Sequence, residues 1–176
     1  EFQQMQIANK PDTSQEEYFD VIGKKTAELF GAACKSGIIV ANGNLKQQKA
    51  AYNYGYNLGI AFQIVDDLMD FNNSPNKMGK NLGDDFKFGK TTLPVILVWE
   101  KSNSIERKFW IRTLKELKQE PTDFEEALNI FLKYKIFEDC EIKALKFVSK
   151  AQEALEGLPK TKFSEHLINL ANESIK

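Results

Sequence analysis

The chain has 176 residues, of which 42% are hydrophobic and 11% aromatic, so it can bury a core and is not a disordered sequence. Its formal net charge of -1 gives it no general attraction to nucleic acid or to an anionic membrane. The longest apolar runs, GIIVA and LPVILVW, are too short to span a bilayer. We therefore expect a globular protein that neither binds nucleic acid nor inserts stably into a membrane.

Two cysteines, Cys34 and Cys140, lie far apart in the sequence and have no metal-ligand spacing. This usage is typical of a reduced compartment, so a cytoplasmic location is expected. Both cysteines are expected to be core residues rather than reactive groups.

Helical signals dominate the first part of the chain. The opening EFQQMQIAN predicts the end of a helix, which Pro11 terminates. A capping box then predicts the start of the next helix, with two candidate pairs, Thr13 with Glu16 or Ser14 with Glu17. That helix is expected to stop at Asn42-Gly43, and an unusually long one follows over about residues 45–71.

The stretch NNSPNKMGKNLGDDFKFGK has the composition of a loop. Apolar periodicity after it predicts helices at about residues 91–101, 105–118, 123–134, 137–157 and 162–175. Thr122 and Glu125 form another candidate capping box. The sequence shows no convincing β alternation and no internal repeat, which predicts an all-α single domain over residues 1–176.

The long helix carries three clustered carboxylates in the stretch FQIVDDLMD. At about 100° per residue, four polar side chains fall within one narrow stripe: Gln63, Asp66, Asp67 and Asp70. An aspartate run is more often a solvated face. Apolar residues on both sides of this narrow stripe favour a stripe that faces a cavity instead.

Carboxylates that face one cavity predict a hard divalent cation. Mg²⁺ prefers oxygen ligands and commonly bridges one or two carboxylates to a substrate phosphate. His166 is the only histidine, about a hundred residues away, which excludes a ferritin-like di-iron site. We therefore expect Mg²⁺ and a phosphate-bearing substrate.

Two lysines in the loop support this expectation. Lys80 and Lys90 each follow a glycine, which would let the backbone approach a ligand closely. A lysine acts as a point charge on phosphate and complements a metal ion. The fragments are not a Walker loop, because no strand precedes them and the spacing differs. Asp84 and Asp85 are expected either to hold these lysines or to assist the metal.

In this order, KTA at Lys25–Ala27, FQIVDDLMD, GK, GDD and GKTTLP resemble the C-terminal half of trans-polyprenyl diphosphate synthases. The version GKNLGDDFKFGKTTLP is most similar to bacterial long-chain members such as octaprenyl diphosphate synthases. The resemblance covers most of the chain up to about residue 100 and is weaker through the final helices. It implies long antiparallel helices around a central cavity, usually in a homodimer, and a polyprenyl chain destined for a quinone.

The resemblance also implies residue roles. Three aspartates match the second of two aspartate-rich motifs, which binds Mg²⁺ on the allylic diphosphate: Asp66, Asp67 and Asp70. Lys25 and Thr26 match a pair that contacts the same diphosphate, and Gln63 matches a residue near the allylic carbon. Lys80 and Lys90 match lysines that close over the diphosphate. The expected catalytic residues are Lys25, Thr26, Gln63 and Asp66.

The implied reaction condenses isopentenyl diphosphate with an allylic diphosphate. The first aspartate-rich motif and the basic residues for isopentenyl diphosphate do not occur in the sequence. We expect the chain to be the C-terminal portion of a longer synthase and to be inactive by itself. Three alternatives stay open: a fragment that needs a partner chain, a non-catalytic helical subunit or metal-stabilised interaction module, or a short-chain farnesyl or geranylgeranyl synthase.

Overall fold

The structure is a computed structural model that describes residues 2–71 and 82–175. Its α-helices are α1 (Phe2–Ile7), α2 (Gln15–Ile22), α3 (Glu28–Val40), α4 (Leu45–Met69), α5 (Asp84–Lys87), α6 (Leu93–Lys101), α7 (Ser104–Trp110), α8 (Asp123–Lys133), α9 (Ile136–Ala154) and α10 (Lys162–Glu173). Two π-helical segments, Gly23–Ala27 and Ile111–Lys115, and one 3-10 turn, Leu155–Gly157, extend them. No strand occurs within the two described ranges, and the all-α prediction is confirmed.

The start of α2 decides between the two capping pairs proposed from the sequence. The Ser14 N–H donates to Glu17 Oε2 at 2.9 Å, and the Glu17 N–H donates back to Ser14 Oγ at 3.2 Å. The Thr13 hydroxyl instead donates to the Lys10 carbonyl at 2.7 Å and closes the preceding turn. The Ser14–Glu17 box therefore satisfies the first amides of α2.

The capping box predicted at Thr122 and Glu125 is wrong. The Thr122 side chain accepts no capping hydrogen bond from any described residue. Asp123 organises this helix start instead, because its Oδ2 accepts from the Glu120 N–H at 2.6 Å and from Arg112 at 2.8 Å. The helix start is therefore held by the contacts of Asp123 with Arg112 and the Glu120 amide, and not by a cap at Thr122.

The chain divides into two compact units, and each is described by itself. Unit 1 comprises Glu1–Val21 and Asp66–Cys140, and unit 2 comprises Ile22–Val65 and Glu141–Lys176. The expectation of a single domain over residues 1–176 stays a prediction. None of the helices in the described ranges has the length and apolarity needed to cross a membrane.

Unit 1 is built around α6 and a cluster of aromatic rings. The helix buries every residue from Leu93 to Val98, as expected for the apolar run LPVILV. The ring of Phe131 packs 4.9 Å from Phe71 and 5.6 Å from Trp110, measured between centroids. Each fully buried side chain of this size contributes roughly 1.5–3 kcal/mol, so this cluster fixes Phe71, two residues after α4, against α7 and α8.

Unit 2 packs α4 against α9 and α10. Its core joins seven buried side chains: Tyr54, Leu58, Ala61, Val148, Ala151, Leu155 and Ala171. The Tyr54 hydroxyl donates to the Leu167 carbonyl at 2.8 Å, which pairs the phenol at the edge of an apolar core. Cys34 packs beside this core, and burial raises the pKa of its thiol. Neither Cys34 nor Cys140 forms a disulfide in the described part of the chain.

Candidate functional site

The polar stripe predicted on α4 is more deeply buried than several of its apolar neighbours. Gln63, Asp67 and Asp70 expose 5%, 7% and 2% of their surface, and Asp66 is half-buried. Phe62, by contrast, is 47% exposed. Burial of a charged carboxylate costs free energy unless hydrogen-bond donors or positive charges compensate it. The groups around each aspartate therefore show whether it can stay charged.

Asp67 is compensated by a tyrosine from α2. The Tyr18 hydroxyl donates to Asp67 Oδ2 at 2.7 Å, and the tyrosine is itself only 2% exposed. Burial, with the nearby charge of Asp67, raises the pKa of Tyr18 well above its ordinary value of 10.0. The phenol therefore keeps its proton and acts as a donor at neutral pH.

Asp70 ties the end of α4 to the segment that carries the second lysine. Its Oδ2 accepts from the Asp85 N–H at 2.9 Å, and its carbonyl accepts from the Gly83 N–H at 2.9 Å. The carboxylate of Asp85 in turn accepts from Lys90 Nζ at 2.5 Å. The expectation that Asp84 or Asp85 holds a loop lysine is confirmed for Asp85 and Lys90.

The charge on Lys90 interacts with three carboxylates of unit 1. Partial burial lowers the pKa of Lys90, but the hydrogen bond and charge of Asp85, followed by the charges of Asp70 and Asp67, outweigh it and raise the pKa above its ordinary value. Unit 1 thus brings Asp67, Asp70, Asp85 and Lys90 into one electrostatic group.

Residues 83–90, here called the anchored segment, are held by backbone and side-chain contacts from the rest of unit 1. Gln119 Nε2 donates to the Phe86 carbonyl at 2.9 Å, and the Asn9 N–H donates to the Gly89 carbonyl at 2.9 Å. Gly89 has φ +64°, and a Cβ there would lie 2.7 Å from the Leu114 carbonyl oxygen. This glycine thus lets the segment pack against the protein itself, which differs from the expected approach to a ligand.

The other predicted residues that the structure describes lie in unit 2. Lys25 and Thr26 fall in the π-helical segment Gly23–Ala27, where Lys25 is exposed and Thr26 half-buried. The Thr26 hydroxyl donates to Gln63 Oε1 at 2.9 Å, so two residues predicted to work together are in direct contact. Short π-helical segments occur frequently at functional sites. Lys80 lies outside the described residues.

The metal-ligand prediction can be compared with the donor set. Within residues 2–71 and 82–175, no three Asp, Glu, His or Cys side chains form a ready-made cage for a cation. Asp67 and Asp70 instead each accept a hydrogen bond, from Tyr18 and from the Asp85 amide. All-oxygen ligands of this kind still fit Mg²⁺, because this ion usually takes one or two carboxylates and completes its shell with water and substrate phosphate.

Three features of the site were not expected from the sequence. Tyr18 contacts Asp67 across 49 residues, and no local pattern signals that contact. Gln119 lies in the turn between the π-helical segment Ile111–Lys115 and α8, yet it supports Phe86 of the anchored segment. The π-helical register around Lys25 also lacks any signal in the apolar periodicity.

Solved structures with the same fold include polyprenyl synthases. A decaprenyl diphosphate synthase structure from Rhodobacter capsulatus matches with a TM-score of 0.93 and 36% identity, over 99% of this chain and 54% of that one. A polyprenyl synthase from Caulobacter crescentus, solved with calcium and isoprenyl diphosphate, matches with a TM-score of 0.93 and 34% identity, over 99% and 53%. The fold is therefore the all-α fold of the isoprenoid synthases.

Sequence comparison identifies the family. The model of the polyprenyl synthetase family matches residues 1–131. Octaprenyl diphosphate synthase from Haemophilus influenzae is 37% identical over 175 residues, which cover 99% of this chain and 53% of that protein. The chain belongs to the polyprenyl synthetase family, and it spans about half the length of the curated relatives that it matches.

Proposed function

We propose that the protein acts as a Mg²⁺-dependent trans-polyprenyl diphosphate synthase, which condenses isopentenyl diphosphate with an allylic diphosphate. The observation that carries the proposal is the chain of contacts in unit 1, in which the buried Asp70 carboxylate accepts from the Asp85 amide and the Asp85 carboxylate accepts from Lys90. A cation beside the carboxylates and a lysine together suit a diphosphate, which needs positive charge from both sides. The polyprenyl synthase from Caulobacter crescentus was solved with calcium and isoprenyl diphosphate, which supports a divalent cation and a diphosphate as ligands of this protein as well.

The metal-binding role falls to the aspartates of α4 and the residue after it, Asp66, Asp67 and Asp70. Mg²⁺ held there would supply positive charge to the diphosphate as the allylic carbon–oxygen bond breaks. Lys90, and Lys80 by its place in the motif, would bind the diphosphate oxygens. The alkene of isopentenyl diphosphate then attacks the allylic carbon, and a proton leaves to the released diphosphate, so no side-chain base is needed.

The resemblance to the family also assigns roles to residues of unit 2. Lys25 and Thr26 would contact the allylic diphosphate, and Thr26 would also hold Gln63 through the 2.9 Å hydrogen bond. Gln63 is 5% exposed, so this bond restricts a side chain with few alternative positions. We propose that Gln63 faces the reacting allylic carbon and that Lys25, Thr26, Gln63 and Asp66 are the catalytic residues.

The proposed product length follows from the names of the relatives. The named octaprenyl and decaprenyl synthases favour a long-chain product. We further propose a cytoplasmic homodimer, in which this chain supplies the binding site for the allylic diphosphate.

Replacement of Asp66 by alanine tests the proposal. We expect turnover of the protein encoded by the gene to fall by about 100-fold or more, because one ligand to the diphosphate-bound cation is lost. Incorporation of labelled isopentenyl diphosphate measures turnover, and circular dichroism verifies the helical fold. Asp12→Ala, at an exposed aspartate of unit 1, is the control and should retain turnover. Unchanged turnover in Asp66→Ala would refute the assignment.

A further inference from the structure

Tyr18 holds a fixed place at the start of α2. The capping box of Ser14 and Glu17 begins the helix, and the Tyr18 N–H donates to the Ser14 carbonyl at 3.1 Å. The side chain therefore leaves from the first turn of a capped helix, where the backbone has little freedom. Its ring also packs edge-on against Phe19, with centroids 5.4 Å apart.

The bond from Tyr18 to Asp67 joins two side chains that are both almost fully buried. Tyr18 is 2% exposed and Asp67 is 7% exposed, and their oxygen atoms lie 2.7 Å apart. A hydrogen bond to a charged group in such surroundings is strong and directional. It therefore fixes the rotation of the Asp67 carboxylate about its side-chain bonds.

The chemistry of the donor matters as much as its position. A lysine or arginine at this place would neutralise Asp67 and would compete with a bound cation. A phenol offsets part of the cost of burial and leaves the negative charge on the carboxylate. A neutral donor is thus suited to a carboxylate that has to attract a metal ion.

We propose that Tyr18 is a positioning residue, which orients the Asp67 carboxylate for the divalent cation that carries the diphosphate. The inference rests on the proposed function and adds a residue outside the aspartate motif to the site. Donors behind metal ligands commonly change metal affinity by about 10- to 100-fold when they are removed.

The experiment compares two Tyr→Phe variants of the 176-residue chain. Tyr18→Phe removes only the donor to Asp67 and keeps the ring. Tyr134→Phe is the matched control, because the Tyr134 hydroxyl donates at 2.8 Å to Glu106, a carboxylate that the proposed site does not use. Isothermal titration measures the binding of inorganic pyrophosphate at a series of Mg²⁺ concentrations. Thermal unfolding is recorded for each variant.

We expect Tyr18→Phe to raise the Mg²⁺ concentration needed for half-maximal pyrophosphate binding by about 10-fold or more. At saturating Mg²⁺, its pyrophosphate affinity should return to that of the wild type. Tyr134→Phe should bind like the wild type, and it should lose less thermal stability, because Tyr134 is half-buried and Glu106 keeps its hydrogen bond from Lys133.

The titration of the wild type tests the proposed function, and the variants test the role of Tyr18. An absence of Mg²⁺-dependent pyrophosphate binding in the wild type would reject the proposed function. If the wild type binds, an unchanged Mg²⁺ requirement in Tyr18→Phe would overturn the positioning role. A loss of pyrophosphate affinity that persists at saturating Mg²⁺ would overturn it as well, and so would an equal loss in Tyr134→Phe.

Discussion

Replacement of Gly89, in the anchored segment, is expected to lower the stability of the fold. It adopts φ +64°, a left-handed conformation that costs an L-residue roughly 1–2 kcal/mol. A Cβ at this position would lie 2.7 Å from the Leu114 carbonyl oxygen, which belongs to the backbone and cannot rotate away. Gly89→Ala therefore combines an unfavourable backbone angle with a steric clash.

The expected loss follows from these two contributions. Forcing an extra methyl group into a packed site costs about 1–3 kcal/mol, so together with the backbone cost the free energy of unfolding should fall by about 2–5 kcal/mol. Urea denaturation followed by far-UV circular dichroism measures this loss as a lower midpoint. Because Lys90 is the next residue, the Mg²⁺-dependent affinity for pyrophosphate should fall as well.

Gly37→Ala is the matched control for this prediction. Gly37 lies in α3, and a Cβ built there meets no described atom within 4 Å. Alanine in a helix interior is favoured over glycine, so this variant should gain about 0.5 kcal/mol. A midpoint for Gly89→Ala equal to that of the wild type would refute the steric reasoning, and an equal loss in Gly37→Ala would refute it too.

Three other substitutions test individual contacts of unit 1. The hydrogen bond from Arg112 lowers the pKa of Asp123 below its ordinary value of 3.8. The pair therefore stabilises the fold above pH 3.8, and this stabilisation is lost as the pH falls through the lowered pKa of Asp123. Asp123→Asn should remove that acid dependence from urea midpoints measured across this range, and an unchanged dependence would count against the pair. Asp85→Asn should lower the pKa of Lys90, because the partial burial of Lys90 remains after the negative charge of residue 85 is removed. NMR titration of Lys90 Nζ measures this pKa, and an unchanged value would contradict the assignment. Thr92→Val should raise the free energy of unfolding by about 1 kcal/mol, since the buried Thr92 hydroxyl has no hydrogen-bond partner in the described structure, and a lower urea midpoint would argue for an unseen partner.

The helices were predictable because their signals are local. Apolar periodicity placed α4 at about residues 45–71, and the structure has Leu45–Met69. The same periodicity predicted a helix at about residues 91–101, and α6 is Leu93–Lys101. Both predictions depend on the sequence within the helix and not on distant contacts.

The features that could not be predicted depend on contacts between distant segments. Ser14 and Thr13 are equally good capping residues in sequence, and only the geometry at Glu17 separates them. The box expected at Thr122 does not form, and Asp123 at the same helix start pairs with Arg112 instead. The partner of Asp123 lies 11 residues away, and no local pattern signals it.

The candidate site divides in the same way. The aspartates and Lys90 could be proposed as site residues because their residue types and spacing suit a cation and a diphosphate. Tyr18 was missed, because a tyrosine in a helix is ordinarily a core residue and its bond to Asp67 spans 49 positions. The supporting residues of a site are therefore harder to predict than the ligands that they hold.

The most direct test of the proposed function is a calorimetric titration of the 176-residue chain with farnesyl diphosphate, with and without Mg²⁺. The proposal predicts binding that requires Mg²⁺ and that is lost when a chelator removes the ion. A metal-stabilised helical interaction module would bind Mg²⁺ without selecting the diphosphate. Mg²⁺ binding without affinity for farnesyl diphosphate, or no binding of either, would contradict the proposal.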